Sequence, residues 1–192
     1  MKKVLVLTAH PDDLELACGG TVARFVDEGV EVTNLIVCSN VPHKKYVPES
    51  SKILGFNPLY LEHRDESITR EVVAEIEALI DISSYDLLIT HWKEDWHQDH
   101  RFCHDLGNSL RRKQPLNVWY MNAYPYCQKY TSFDANVFVD ITKYIEQKKN
   151  SILCYKNVPT KWAKDTEHLT AYRGAFIETQ HAEIFKADTL IV

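Results

Sequence analysis

The sequence predicts an α/β fold, a Rossmann-like three-layer sandwich built on a mostly parallel sheet. Two observations predict it. Short runs of β-branched and leucine residues, such as Val4-Leu5-Val6-Leu7 and Leu87-Leu88-Ile89, read as buried central strands. Longer segments of helical periodicity lie between them, and strands alternating with helices imply parallel pairing through right-handed crossovers. At 192 residues the chain is read as one domain over 1–192, long enough to bury about 70% of its unfolded surface.

The elements follow in order. After the first strand, residues 21–28 read as a helix stopped at Gly29, and 32–38 as the second strand. Residues 46–54 suggest a helix ended by Gly55 and Pro58, followed by a short strand at 59–61. Over 68–82, the residues Ile68, Val72, Val73, Ile76, Leu79 and Ile80 fall close to a helical stripe. Residues 87–90 form a strand, 101–112 a helix and 117–121 another strand. An aromatic loop occupies 125–133, and 141–155 and 168–179 read as helices. The chain shows no repeat, low-complexity tract or linker.

Chemistry concentrates at two strand ends. The run 4–7 leads into Ala9-His10-Pro11-Asp12-Asp13 and then Gly19-Gly20-Thr21. Ligands of open α/β sheets gather beyond the carboxyl ends of the strands, where His10, Asp12 and Asp13 fall. Pro11 keeps His10 out of helical geometry, so a stiff turn can aim His10 and Asp13 at one point while Asp12 faces elsewhere. One carboxylate is thereby suited to hold a cation and its neighbour to act as a base. An Asp pair after a strand also serves as a plain helix cap, but a second cluster follows another strand. Four of the nine histidines, His91, His97, His100 and His104, lie within 91–104. Zinc takes imidazole nitrogen and carboxylate oxygen and, in catalytic sites, keeps one position for water.

His10-Pro11-Asp12-Asp13 with Gly19-Gly20-Thr21, followed by His97-Gln98-Asp99-His100-Arg101, resembles the LmbE-like or PIG-L family of zinc-dependent N-deacetylases. Weaker resemblance includes Phe138-Val139-Asp140-Ile141-Thr142, and Arg173-Gly174 with Ala182-Glu183-Ile184-Phe185. The resemblance implies one Zn2+ per chain held by His10, Asp13 and His100, with other divalent metals as substitutes. It also implies Asp12 as general base, His97 as transition-state stabiliser and Asp99 as the group that orients and charges His97. The substrate it implies is an N-acetylated amino sugar or sugar-linked small molecule. Gln98 stands where the family commonly has proline, and His181 where a tyrosine often precedes Ala-Glu; neither replaces a ligand.

Other residues near these motifs carry weaker signals. His100 and His104 share a helix face, but a His-x-x-x-His metalloprotease pair requires Glu at the position of Arg101, so His100 alone is favoured. His91 reads more readily as packing than as pocket lining, and Trp92 and Trp96 more readily as loop anchors than as sugar platforms. Arg64, after the short strand, and Tyr126, in the aromatic loop, are candidate substrate contacts. Lys143, Lys148, Lys149 and Lys156 are placed mostly on a solvated helix face.

A formal net charge of −5 and scattered basic residues argue against a nucleic-acid partner. No run of about 18 apolar residues suggests a membrane span, and the short N-terminal run lacks the length of a signal-peptide core. Five widely spaced cysteines without a Cys-x-x-Cys pair read as reduced thiols, which favours a cytoplasmic setting. Self-association stays open. A dinucleotide-binding reading fails because Gly19-Gly20 lacks the Gly-x-Gly-x-x-Gly spacing and its turn is acidic. The alternative that survives is a metal- or sugar-binding module of the same fold without turnover.

Overall fold

The computed structural model describes residues 1–63, 71–125 and 133–189. Its strands are β1 (Lys3–Thr8), β2 (Glu31–Ile36), β3 (Asn57–Tyr60), β4 (Leu87–His91), β5 (Asn117–Met121), β6 (Val137–Asp140) and β7 (Ala182–Thr189). They form one sheet in the order β3-β2-β1-β4-β5-β7-β6. The first five pair in parallel, while β7 runs antiparallel to both β5 and β6.

The burial of β1 explains its unbroken apolar run. Val4 and Val6 enter one core and Leu5 and Leu7 the other, all fully buried. Each such side chain contributes about 1.5–3 kcal/mol. A strand covered on both faces has no side on which a polar residue is favourable.

Among the described residues six helices cover the sheet: α1 (Asp13–Asp27), α2 (Val47–Leu54), α3 (Glu71–Leu79), α4 (Gln98–Leu110), α5 (Ile145–Leu153) and α6 (Lys161–Gly174). α1, α2, α5 and α6 pack over the face that includes Val4 and Val6, and α3 and α4 over the other. The result is the three-layer α/β arrangement the sequence predicts. From β1 the chain steps outward through β2 to β3, then returns beside β1 as β4 and proceeds to β5. The reversal between β1 and β4 creates the crevice in which open α/β sheets hold ligands.

The sheet is mostly parallel, as predicted, and its antiparallel part centres on β7, which enters after two consecutive helices. Several details of the elements need correction. The helix expected at 21–28 begins at Asp13 and is broken at Cys18, whose backbone (φ −139°, ψ 19°) is not helical. Gly19-Gly20 does not delay the helix. Gly20 lets Ile141 approach, since a Cβ there would lie 2.6 Å from Ile141 Cδ1. The last helix sits at Lys161–Gly174 rather than 168–179, and a single 3-10 turn follows it. Lys148, placed on a solvated face by its charge, is fully buried in an ion pair with Glu183. A buried ammonium is tolerated where a carboxylate and carbonyl oxygens take its protons.

Candidate active site

Both predicted clusters meet at the β1/β4 crevice. The turn after β1 is closed by the His10 backbone N–H, which donates to Asp13 Oδ2 at 2.7 Å. Asp13 then sits among three imidazoles. Its Oδ1 is 3.2 Å from His100 Nε2, and its Oδ2 is 3.3 Å from His91 Nε2 and 3.5 Å from His10 Nδ1. Burial pushes the Asp13 carboxyl up, but the neighbouring imidazoles, His100 foremost, outweigh it and hold the group well below the usual carboxylate range.

β4 and the loop after it bring the second cluster. His91 ends the strand, fully buried and stacked on His100 with ring centroids 4.0 Å apart. Burial and the neighbouring His100 push His91 down to about 4, so its ring is neutral near pH 7. Its Nε2 accepts the Ala9 backbone N–H at 3.2 Å, which fastens the end of β1 to that of β4. His100, in the first turn of α4, contacts Asp95 Oδ2 through Nδ1 at 3.0 Å. Burial lowers its pKa, but Asp13 and Asp95 prevail and raise it to about 9. Asp95 carries no sequence signal, because nothing in Lys93-Glu94-Asp95 marks one of its two acids over the other.

His97 caps α4 with an extended backbone. Its Nδ1 accepts the Asp99 backbone N–H at 3.3 Å, which leaves the proton of the neutral ring on Nε2. Burial, with His100 and His10 nearby, lowers its pKa. The nearby Asp99 carboxylate raises the His97 pKa, but burial and the neighbouring imidazoles outweigh it. Asp99 Oδ2 is 3.1 Å from His10 Nε2 and 3.8 Å from His97 Nδ1, because the helix cap turns the imidazole toward the backbone.

The donor set fits a metal ion. Ligand atoms of His10, His97 and His100 lie within 4.8 Å of one another, as do those of Asp13, His91 and His100. Two donors of a tetrahedral zinc at about 2.0–2.1 Å are separated by about 3.3 Å. Asp13 stands at 3.2 and 3.5 Å from His100 and His10, and the two groups between them include His10, Asp13 and His100, with His100 common to both. Among the described residues no thiolate pair competes for that role.

A cavity of about 240 Å³ opens over this cluster, with His10, Asp12, Asp13 and His97 at its polar end. Leu16, Val158, His43, Asn157, Tyr124 and Trp162 complete the wall. Asp12 faces this space, and burial together with repulsion from Asp13 pushes its carboxyl up to about 6. The Tyr124 hydroxyl donates to Asp165 at 2.7 Å, and its ring meets Trp162 edge-on at 5.7 Å. Trp162, Asn157 and His43 carry no sequence signal, since chain distance conceals their approach to β1. Trp92 packs on Tyr120, and half-exposed Trp96 is not part of the cavity wall. His104 bonds the His91 carbonyl and Asn108 instead of joining the cluster. Arg64 and Tyr126 lie outside the described residues.

Residues 5–110, more than half of the chain, match the family described as PIG-L, GlcNAc-PI de-N-acetylase. The chain belongs to the PIG-L family. Its two strand-end motifs lie within that PIG-L match. Among curated proteins it is similar to the diacetylchitobiose deacetylase of Thermococcus kodakarensis, 23% identical over 95% of this chain and 82% of the relative. Other curated relatives are matched over smaller parts of their own length, 62%, 20% and 12%. Among solved structures it resembles the conserved protein TT1542 of Thermus thermophilus, with a TM-score of 0.85, 24% identity, and coverage of 100% and 97% of the two chains. It also resembles GalB, the 4-carboxy-2-hydroxymuconate hydratase of Pseudomonas putida, with a TM-score of 0.86, 14% identity, and coverage of 100% and 98%. The last two likenesses concern the fold alone. One fold supports more than one chemistry, so function has to be argued from the site.

Proposed function

We propose that this PIG-L chain is a metal-dependent amidohydrolase that removes the N-acetyl group from an amino sugar or a sugar-linked small molecule. The observation that carries the reading is the contrast between two adjacent carboxylates. Asp13 is held ionised among imidazoles, while Asp12 faces the cavity with its carboxyl pushed up to about 6. Environments that drive two acids apart divide the labour between a ligand and a base.

His10, Asp13 and His100 would hold zinc, one ion per chain. Zinc bound there would polarise the acetyl carbonyl and acidify water. Asp12 takes the proton of the attacking water; a base with a pKa near the working pH does this most effectively. His97, neutral with its proton on Nε2, donates to the oxyanion that develops on the carbonyl oxygen. Loss of such a donor costs about 100- to 1,000-fold in rate. Asp99 steadies His10. Tyr124 and Trp162 offer apolar surface to the sugar ring, with Asn157 and His43 beside them as polar contacts.

The deacetylase relatives support the reaction class, and the aromatic and amide lining supports a sugar. Cys18, Cys38, Cys103 and Cys154 are buried and free, which fits a reducing cytoplasmic setting. No helix among the described residues is long and apolar enough to cross a membrane.

The test is primary-amine release from a panel of N-acetylated amino sugars, before and after metal is removed by a chelator and restored as zinc. Release that follows the zinc supports the reading. Release unaffected by complete metal removal refutes it, and silence across the panel with zinc bound favours the binding module.

A further inference from the structure

Two residues that the site has not absorbed meet behind it. Lys148, on α5, and Glu183, on β7, are both fully buried and form an ion pair of 2.6 Å. Their other hydrogen bonds go to the two sides of the break in α1. Lys148 Nζ donates to the carbonyl oxygens of Glu15 at 2.8 Å and Leu16 at 3.0 Å. Glu183 Oε1 accepts the Gly20 N–H at 3.0 Å and Oε2 the Thr21 N–H at 2.6 Å.

In an unbroken helix the carbonyls of Glu15 and Leu16 would face the N–H groups of Gly19 and Gly20. The non-helical backbone of Cys18 interrupts that ladder. The ammonium takes the acceptors on one side of the interruption, the carboxylate takes the donors on the other, and the two charges bind each other. The pair thus substitutes for helix continuity while allowing a bend. The segment before the bend is the turn that starts at Asp13. Its other end is also fastened, since the Tyr155 hydroxyl donates to the Pro11 carbonyl at 2.5 Å.

We propose that Lys148 and Glu183 are positioning residues that set the angle of the first turn of α1, and with it the aim of Asp13 at His10 and His100 and of Asp12 into the cavity. The proposal rests on the reading of His10, Asp13 and His100 as metal ligands. Groups that orient metal ligands typically change affinity or activity by about 10- to 100-fold when lost. A free α1, without the bend, would carry Asp13 along a different axis.

The test uses the full chain and three variants. Glu183→Asp keeps both charges but withdraws the carboxylate from Gly20 and Thr21. Lys148→Met with Glu183→Gln removes both charges together and avoids a lone buried ion. Ile76→Val, in the core on the opposite face of the sheet, controls for lost stability. Zinc affinity is read by competition with a chromophoric chelator, the site's geometry from the visible spectrum with Co2+, and turnover as kcat and KM separately.

Both site variants are expected to fold, to bind zinc about 10- to 100-fold more weakly with an altered Co2+ spectrum, and to lose kcat more than KM. Ile76→Val should retain all three. Native metal affinity and spectrum in folded Glu183→Asp would overturn the proposal. Failure of Glu183→Asp to fold would overturn it too, because the pair would then serve the whole core rather than the turn. A native chain that takes up no zinc would refute the ligand assignment itself, and the proposal with it.

Discussion

Asp13 Oδ1 lies 3.2 Å from His100 Nε2, and this contact joins the turn after β1 to the first turn of α4. It spans the point where the sheet reverses its strand order, so the fold itself brings the two motifs together.

Replacing Asp13 should therefore dismantle the centre rather than tune it. Asp13→Ala is expected to lower zinc affinity by at least about 100-fold and to abolish turnover, measured by equilibrium dialysis and amine release. Zinc bound at native strength by the folded variant would exclude Asp13 as a ligand.

Asp95 orients His100 through Nδ1 at 3.0 Å. Asp95→Asn should leave the fold intact and weaken zinc binding or turnover by about 10- to 100-fold. Native affinity and turnover together would show that the contact has no bearing on the centre.

Trp162 lines the cavity beside Tyr124. Trp162→Ala is expected to raise KM for a sugar substrate by about tenfold with kcat within about threefold, the pattern of lost binding that is uniform along the reaction. A fall in kcat at constant KM would place Trp162 in the chemistry instead.

Glu15 predicts a pH effect on the metal-free protein. Its carboxyl is buried and bonded by the hydroxyls of Ser50 and Tyr155. Burial prevails over these bonds and raises its pKa from 4.5 to about 8. The folded state holds this proton more tightly than the unfolded chain does. The stability it contributes is complete below about pH 4.5 and is lost as pH rises through about 8. Glu15→Gln should remove that decline, so its melting temperature should gain on that of the native chain between about pH 5 and 8. Parallel melting curves for the two proteins would show that Glu15 does not titrate in that window.

The parallel half of the fold was legible because a strand buried on both faces must be apolar throughout, as Val4-Leu5-Val6-Leu7 is. The same rule located His10, Asp12 and Asp13 at a strand end. β7 was harder to see, since Glu183 and Lys186 interrupt its apolar run; Glu183 is buried with a partner from another element. The burial of Lys148 escapes the sequence for the same reason. Charge predicts exposure unless a partner distant in the chain compensates it, and sequence spacing does not reveal that partner. The contributions of Asp95, Trp162 and Asn157 are hidden likewise, whereas His97 is legible but its tautomer depends on a helix cap visible only in three dimensions.

The central claim is that Asp12 performs the proton transfer while its neighbour holds the metal. The most direct measurement is amine release by Asp12→Asn with its zinc content determined on the same sample. One zinc per chain with turnover reduced by about 100- to 10,000-fold is the predicted result. Native turnover in the variant would contradict the account.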